Sequence, residues 1–305
     1  MPRLPGWLRR VAQVAVAVLL LGLLWRYAGG GEALDRLWQA QPGWLLAAWI
    51  ALVTQTVLSA LRWRLTAAQL GIGMSRGRAL SEYLEAQLLN QSIPGGVLGD
   101  ARRAVRARDQ AGMWAAGQSV VIERLAGQVG LFLCLAVGFA ATLVVPGRVD
   151  WPGWLAVAIA LGLLAAALVP PGLAWLARRN DRARAIWRPV AHALLAPQVL
   201  RAQLILSFGT ALCNLAGFAL AARAVGAGLG PIETLTLVPL ILLSMLIPLS
   251  ISGWGLREGA AAVLFPLAGL SASAGLAASV TFGLLLIASA LPGVVVLLLR
   301  RPTPA

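Results

Sequence analysis

The chain has 305 residues, of which 59% are hydrophobic and only 12% are charged, a balance that no soluble globular class has. Its net charge of +14 comes from 25 basic residues, all of them arginine, which lie mainly in short segments between apolar runs. Orientation in a membrane accounts for that distribution, so we expect no nucleic-acid partner. With one histidine and two cysteines, the chain lacks the ligands for a Cys/His metal site, and we expect neither a metal nor another cofactor.

Seven apolar runs reach or approach the roughly 20 residues that a helix needs to cross a bilayer. They cover residues 7–27, 43–61, 118–145, 154–170, 203–222, 233–250 and 272–299. The uninterrupted apolar stretch of the first run follows Arg3, Arg9 and Arg10, as in a signal peptide, but it continues through Trp25 without a small-residue cleavage site. The sequence therefore predicts an all-α polytopic membrane protein that keeps its first helix as an anchor.

The arginines are unevenly divided between successive loops. Three precede the first run, eight lie in 62–108 and five in 178–188, whereas the alternate loops carry one or two each. The positive-inside rule then places the N-terminus, the 62–117 region and the 172–201 loop in the cytoplasm. Because the C-terminal Arg300 and Arg301 should lie there too, both termini are predicted to be cytoplasmic, in a bacterial inner membrane.

A cytoplasmic C-terminus allows only one further net crossing after residue 222. We therefore expect residues 233–270 to enter from the outside and return as a broken hairpin, with the break in 248–255. A similar break follows the semi-polar stretch 79–91, in the Gly- and Pro-containing segment 94–100, and opens from the cytoplasm. The prediction is a single membrane domain, 1–305, with about six full crossings and two broken or re-entrant helical hairpins. Breaks entered from opposite faces also indicate an inverted repeat, with halves 1–145 and 146–305.

Three constellations carry candidate substrate-binding residues. The first lies in the first break and comprises Asn90, Gly95, Gly96, Gly99, Asp100 and Arg103. Glycines let backbone amides converge on an anion, and arginine supplies a planar fork that suits phosphate. A lipid-phosphate site and a plain turn at the inner membrane surface are both compatible with this pattern.

The second constellation lies in the second break and comprises Ser252, Gly253, Arg257 and Glu258. Because a charge facing hydrocarbon costs roughly 2.5–3.5 kcal/mol, the Arg–Glu pair should face a partner, a cavity or water. The alternative is a self-neutralising pair at the outer interface. The third constellation is Glu123-Arg124, whose side chains diverge on a helix and need separate partners. Glu123 and Arg124 could couple to the two breaks or form polar contacts between helices, and the sequence leaves both alternatives open.

Taken in order, these motifs form a pattern that covers essentially the whole chain. They are Leu61-Arg62-Trp63-Arg64, then Asn90, Pro94-Gly95-Gly96, Gly99-Asp100 and Arg103, then Glu123-Arg124-Leu125, and finally Pro248, Ser250, Ser252-Gly253-Trp254-Gly255 and Arg257-Glu258. The pattern resembles the lysylphosphatidylglycerol synthase transmembrane family, the flippase-like membrane domain also found in the multiple peptide resistance factor. The resemblance implies movement of aminoacylated phosphatidylglycerol or another polar lipid between leaflets.

The synthases of that family also carry a soluble C-terminal domain that aminoacylates the lipid. This chain ends at Ala305, soon after its last apolar run, so we do not expect lipid aminoacylation of it alone.

Three functional hypotheses follow. A translocator would hold the headgroup of a phosphate-bearing membrane lipid between the two glycine-rich breaks. A lipid-phosphate transferase would need a positioned base or nucleophile, and the candidates Asp100, Glu123 and Glu258 each lie near an arginine in the sequence, so the pattern favours a translocator over an enzyme. An accessory subunit would work with a partner glycosyltransferase or other lipid-modifying enzyme, and the sequence leaves that alternative open.

Overall fold

A computed structural model describes residues 25–92, 97–247 and 253–299, together with positions 15, 19, 22 and 23. The regular elements in these residues are helical. In chain order they are α1 (Gly30–Trp38), α2 (Pro42–Gln69), α3 (Arg76–Ser92), α4 (Leu98–Val144), α5 (Gly153–Ala177), α6 (Asp181–Leu195), α7 (Pro197–Ala224), α8 (Pro231–Leu243), α9 (Leu256–Leu264), α10 (Ala272–Ala290) and α11 (Pro292–Leu299). Short 3-10 helices, Ser244–Leu246 and Phe265–Ala268, follow α8 and α9.

Within the described residues, five helical segments are long and apolar enough to cross a membrane. They are Pro42–Gln69, Leu98–Val144, Gly153–Ala177, Pro197–Ala224 and Ala272–Leu299. Each contains or overlaps one of the predicted apolar runs, so the prediction of an all-α polytopic membrane protein is confirmed. The predicted first crossing, 7–27, lies largely outside the described residues.

Local sequence signals explain where several helices begin. Proline occupies the first turn of α2, α7 and α8, where its missing N–H has no helical partner to lose. The Asn180 side chain accepts hydrogen bonds from the N–H groups of Arg182 and Ala183 and caps α6. The predicted 172–201 loop is therefore mostly helical, because this cap and the residues after it start a 15-residue helix with arginine on its exposed surface.

The first predicted hairpin is formed by α3 and the beginning of α4. Gly112 has φ 81° and ψ 164°, which divides the 47-residue α4 into a first arm, 98–111, and a second arm, 113–144. The first arm runs antiparallel to α3, and Gly99 lies so close to the Ala86 carbonyl that a side chain at 99 would overlap it. Ion pairs from Arg102 and Arg106 to Glu85 continue the antiparallel contact. The hairpin thus returns to the end from which it entered, and only the second arm crosses.

The second predicted hairpin is formed by α8 and α9. After the 3-10 turn Ser244–Leu246, the described chain resumes at Gly253, and α9 begins behind Gly255, whose φ of 86° favours glycine. Both outer ends of the hairpin meet the loop 145–152. The Asp150 N–H donates to the Leu267 carbonyl at 2.7 Å, and Arg148 lies 3.7 Å from Glu233.

The two hairpins open at opposite ends of the second arm of α4. Gly71 and Gly73, which follow α2, lie beside Ala111 and Gln110 at the start of that arm, whereas the second hairpin opens at the 145–152 loop that ends it. Within the described residues the two hairpins therefore open at opposite ends of this arm, as predicted, while the central residues of the two predicted breaks, 94–96 and 248–252, lie outside those residues. The inverted repeat of halves 1–145 and 146–305 stays a prediction.

We predict that this geometry sets the sidedness of the loops. In a variant with Cys134 and Cys213 replaced by alanine, cysteines at Arg188 and Ala305 should react with a membrane-impermeant maleimide only from the cytoplasmic side. A cysteine at the exposed Gly228 should react only from the other side. Labelling of positions 188 and 305 from opposite sides would contradict the six-crossing topology.

Candidate functional site

A group of charges, mostly buried but half-exposed at Arg124, joins the first hairpin to the helices around it. Glu123 accepts from Arg62 at 2.7 Å and from Arg103 at 3.3 Å. Asp100 pairs with Arg103 at 3.0 Å and with Arg124 at 2.6 Å. These five residues form the Glu123 cluster, which links α2, the first arm of α4 and the second arm of α4. Adjacent Glu123 and Arg124 therefore have separate partners, as the helical geometry predicted.

The Arg103 guanidinium is held between two aromatic rings. Its central carbon lies 4.5 Å from the Trp63 ring centroid and 4.6 Å from that of Tyr83. The Trp63 indole N–H donates to Ser119 at 3.2 Å, and the Tyr83 hydroxyl donates to Glu123 at 3.4 Å. Cation–π contact is strengthened by desolvation. The two ring contacts therefore fix Arg103 in place and connect α2, α3 and α4.

The Glu123 cluster is not electrically balanced. It contains three guanidinium groups and two carboxylates, so it carries one excess positive charge. The side chain of Arg62 is only 4% exposed, and its Nε and Nη1 have no hydrogen-bond partner. The same two nitrogens of Arg103 also lack partners. Buried polar groups are normally satisfied, and orphaned charged donors indicate a functional constraint.

A polar cavity of about 110 Å³ lies beside Arg62, between α2, the second arm of α4 and α7. Its walls are Gln55, Ser59, Arg62, Tyr83, Glu123, Arg124, Gly127, Gln128, Leu131, Thr210, Ala211 and Asn214. Gly127 leaves room for the arginine, since a methyl group there would come within 2.9 Å of Arg62 Nη2. Arg62 lies seven residues, or about 10 Å along the helix axis, before the end of α2.

The second hairpin contains its own buried ion pair, the Arg257–Glu258 pair. Arg257 Nη2 lies 2.6 Å from Glu258, and Ser279 on α10 donates to the same carboxylate at 3.0 Å. The other Glu258 oxygen accepts from the Gly255 N–H at 2.6 Å, which caps α9. Both charged side chains are essentially unexposed, so the pair is self-neutralising but lies within the bundle, not at an outer interface.

Both hairpins pack on α10. Gln87 of α3 donates to Ser289 at 3.2 Å, while a side chain at Gly283 would collide with Arg257 and Trp254. Positions 283 and 289 are about 9 Å apart along a helix. The last described turns of the first hairpin and the first described turn of α9 therefore approach the same short section of α10.

The predicted site residues fall into five sets. Asp100, Arg103, Glu123 and Arg124 come together, whereas Arg257 and Glu258 form the separate pair on α10. Asn90 and Gly99 have a local role, because the Asn90 carbonyl oxygen accepts from the Gly99 N–H at 2.8 Å. Gly253, with φ 80°, lies at a turn that packs on Met245. Gly95, Gly96 and Ser252 lie outside the described residues, so the predicted meeting of the breaks stays a prediction.

Sequence reasoning missed Arg62, Tyr83 and the neutral wall of the cavity. Arg62 was quoted within a motif but was not assigned to the site. One signal was available: Gln55, Ser59 and Arg62 recur at helical spacing on an otherwise apolar run, which puts them on one face of α2. A polar stripe on a membrane-spanning helix should face protein or a cavity.

Comparison with known protein families gives a match over most of the chain. The family described as "Lysylphosphatidylglycerol synthase TM region" matches residues 10–293 of the chain. That range includes both hairpins, the Glu123 cluster and the Arg257–Glu258 pair. No curated protein and no solved structure gives a significant match.

We predict that Glu123→Gln destabilises the fold strongly. The substitution leaves Arg62 and Arg103 buried without their shared carboxylate, and breaking a buried pair costs about 3–5 kcal/mol. Denaturation of the purified protein in a non-ionic detergent measures the loss in free energy of unfolding. Glu32→Gln is the matched control, because Glu32 pairs with Arg36 on an exposed surface. Equal stability of the two variants would contradict a structural role for the Glu123 cluster.

Proposed function

We propose, from the premise that the chain belongs to the lysylphosphatidylglycerol synthase transmembrane family, that it translocates a phosphate-bearing polar lipid between the leaflets of the membrane. Membership makes the chain a membrane domain linked to lipid handling. The movement of lipid, and its location in a bacterial inner membrane with both termini in the cytoplasm, are the proposal.

One observation carries the proposal: two broken helical hairpins open at opposite ends of the bundle and pack on one short section of α10. Irregular backbone at membrane depth is tolerated only where protein or a watery cavity surrounds it. Opposed hairpins that meet over a shared interior are the arrangement that transporters use for alternating access. A polar headgroup can then pass between them while its acyl chains stay in the bilayer.

The charges of the hairpins suit binding better than chemistry. An enzyme for lipid-phosphate transfer needs a carboxylate free to act as base or nucleophile. Here Asp100 and Glu123 are each shared by two arginines, and Glu258 accepts from an arginine, a serine and a backbone amide. Ion pairs of this kind hold each hairpin end in place. If a lipid phosphate replaced the carboxylate in such a pair, the hairpin end would be released.

The direct test is a vesicle assay with the purified chain alone. Fluorescent phosphatidylglycerol is placed in phosphatidylcholine vesicles, and an impermeant quencher reports the fraction left in the inner leaflet. We expect protein-containing vesicles to exchange label between leaflets much faster than empty ones, with no change in lipid mass. A changed lipid mass would indicate an enzyme. No movement and no mass change would contradict the proposal and favour an accessory subunit of a lipid-modifying enzyme.

We predict that Arg103→Ala and Arg257→Ala each slow this movement at least about tenfold, equivalent to ~1.4 kcal/mol. Arg103→Ala removes one of the two arginines that Asp100 and Glu123 each have. Arg257→Ala leaves the buried Glu258 without its arginine. Lysine at each position should restore only part of the rate, because it keeps the charge but loses the planar fork and its stacking on aromatic rings.

The control is Arg188→Ala, which removes an exposed charge from α6. The comparison is made only between variants that insert and run as a single species in detergent. If both alanine variants moved lipid as fast as the unsubstituted protein, Arg103 and Arg257 would have no role in the movement.

A further inference from the structure

We propose that the polar cavity beside Arg62 is a binding site for a phosphate group that carries one negative charge. This inference rests on the proposed function for its biological role, since the phosphate would belong to the transported lipid. Its structural basis is separate and lies in three properties of the Glu123 cluster and the cavity.

The first property is the charge of the cluster. Three arginines share two carboxylates, and the ion pairs connect all five residues into one unit. Arg62 and Arg103 are buried, whereas Arg124 is half-exposed, and an uncompensated charge beside buried arginines is costly, so the unit can accept one more negative charge. Two further arginines match the acidic residues of α3: Glu82 and Glu85 pair with Arg106, and Glu85 also pairs with Arg102.

The second property is the free donor capacity of Arg62. Glu123 occupies one terminal nitrogen, while Nε and Nη1 are buried and have no partner. The fork that includes Nε uses Nη2, which already binds Glu123, so Nε and Nη1 point to different sides of the guanidinium and each would donate to a separate ligand atom. Glu123 thus holds the guanidinium in place and leaves two donors available to a ligand.

The third property is the chemistry of the cavity wall. Neutral side chains that form hydrogen bonds, Gln55, Ser59, Gln128, Thr210 and Asn214, complete the site opposite the arginines. Gln128 Oε1 is buried without a donor, and a ligand hydroxyl or a water would satisfy it. The cavity, of about 110 Å³, is large enough for several waters and so has room for a phosphate group.

The charge balance selects the class of phosphate. A phosphodiester carries one negative charge and brings the cluster to neutrality, whereas a phosphomonoester carries about −1.5 to −2 at pH 7. The second charge of a monoester would have no cation left to pair with in the cluster. The site should therefore prefer a diester headgroup to a terminal phosphate.

The test measures binding to the purified protein in a non-ionic detergent by isothermal titration calorimetry. The probes are dihexanoyl phosphatidylglycerol, dihexanoyl phosphatidic acid and inorganic phosphate. We expect the diester to bind most tightly, and Arg62→Gln to weaken it at least about tenfold, since the positive charge and a charged hydrogen bond are lost. Arg188→Gln, which removes an exposed charge from α6, should leave its affinity unchanged.

A second pair of variants removes no charged group. Gly127→Ala puts a methyl group 2.9 Å from Arg62 Nη2 and should displace the guanidinium, so it should also weaken diester binding. Gly117→Ala on the same arm of α4 meets no atom within 4 Å and is the matched control. This pair tests the site even if Arg62→Gln does not fold.

Each outcome decides the proposal. Equal diester affinity of the unsubstituted protein, Arg62→Gln and Gly127→Ala would overturn it, as would absence of binding by all three probes. Tighter binding of phosphatidic acid would overturn the single-charge preference. Inorganic phosphate binding as tightly as the diester, with the same dependence on Arg62, would support the anion site but assign it to a soluble ion. Lipid movement in the vesicle assay without binding in the titration would refute this inference alone. Binding in the titration without lipid movement in the vesicles would refute the proposed function alone.

Discussion

The carboxylate of Glu123 is the point on which the first half of the structure depends. It binds two arginines from different helices, and one of them, Arg103, is fixed between Trp63 and Tyr83. Charges at this depth are stable only as a connected unit, because each would otherwise face hydrocarbon or an apolar core. The same unit holds the re-entrant hairpin against α2, and its three arginines exceed its two carboxylates by one positive charge. Structural cohesion and affinity for an anion thus have one physical origin.

Small residues make the rest of the arrangement possible. Gly99 and Gly275 bring hairpin backbones into direct contact with Ala86 and Ala261, and Gly283 makes space for Arg257. Helices in a membrane gain little from burying apolar side chains against each other, so close packing and buried polar contacts must supply the association. Two short hairpins can therefore end within the bundle without exposing their backbone to lipid.

Much of this fold follows from the sequence, because run length and arginine asymmetry are strong signals for membrane helices. The two breaks were predicted from their Pro and Gly residues. The extent of α4 was not predicted, because nothing in the sequence indicates that the returning arm 98–111 and the crossing arm 113–144 join through the single residue Gly112. The partners of Glu123 and Arg124 were also beyond prediction. They depend on how α2 and the hairpin are placed, whereas spacing on one helix excludes only contact between the two neighbours.

The central claim is that both hairpins reach a common interior. Cysteines at Gly96 and Ser252 test it most directly, because they lie in the two breaks and Ser252 accepts cysteine more easily than Gly253 with its φ of 80°. With Cys134 and Cys213 replaced by alanine, a short bifunctional thiol reagent should crosslink positions 96 and 252 within one chain, and should not crosslink 96 to 228. Failure of the 96–252 crosslink, when each cysteine alone reacts with a small thiol reagent, would contradict the account.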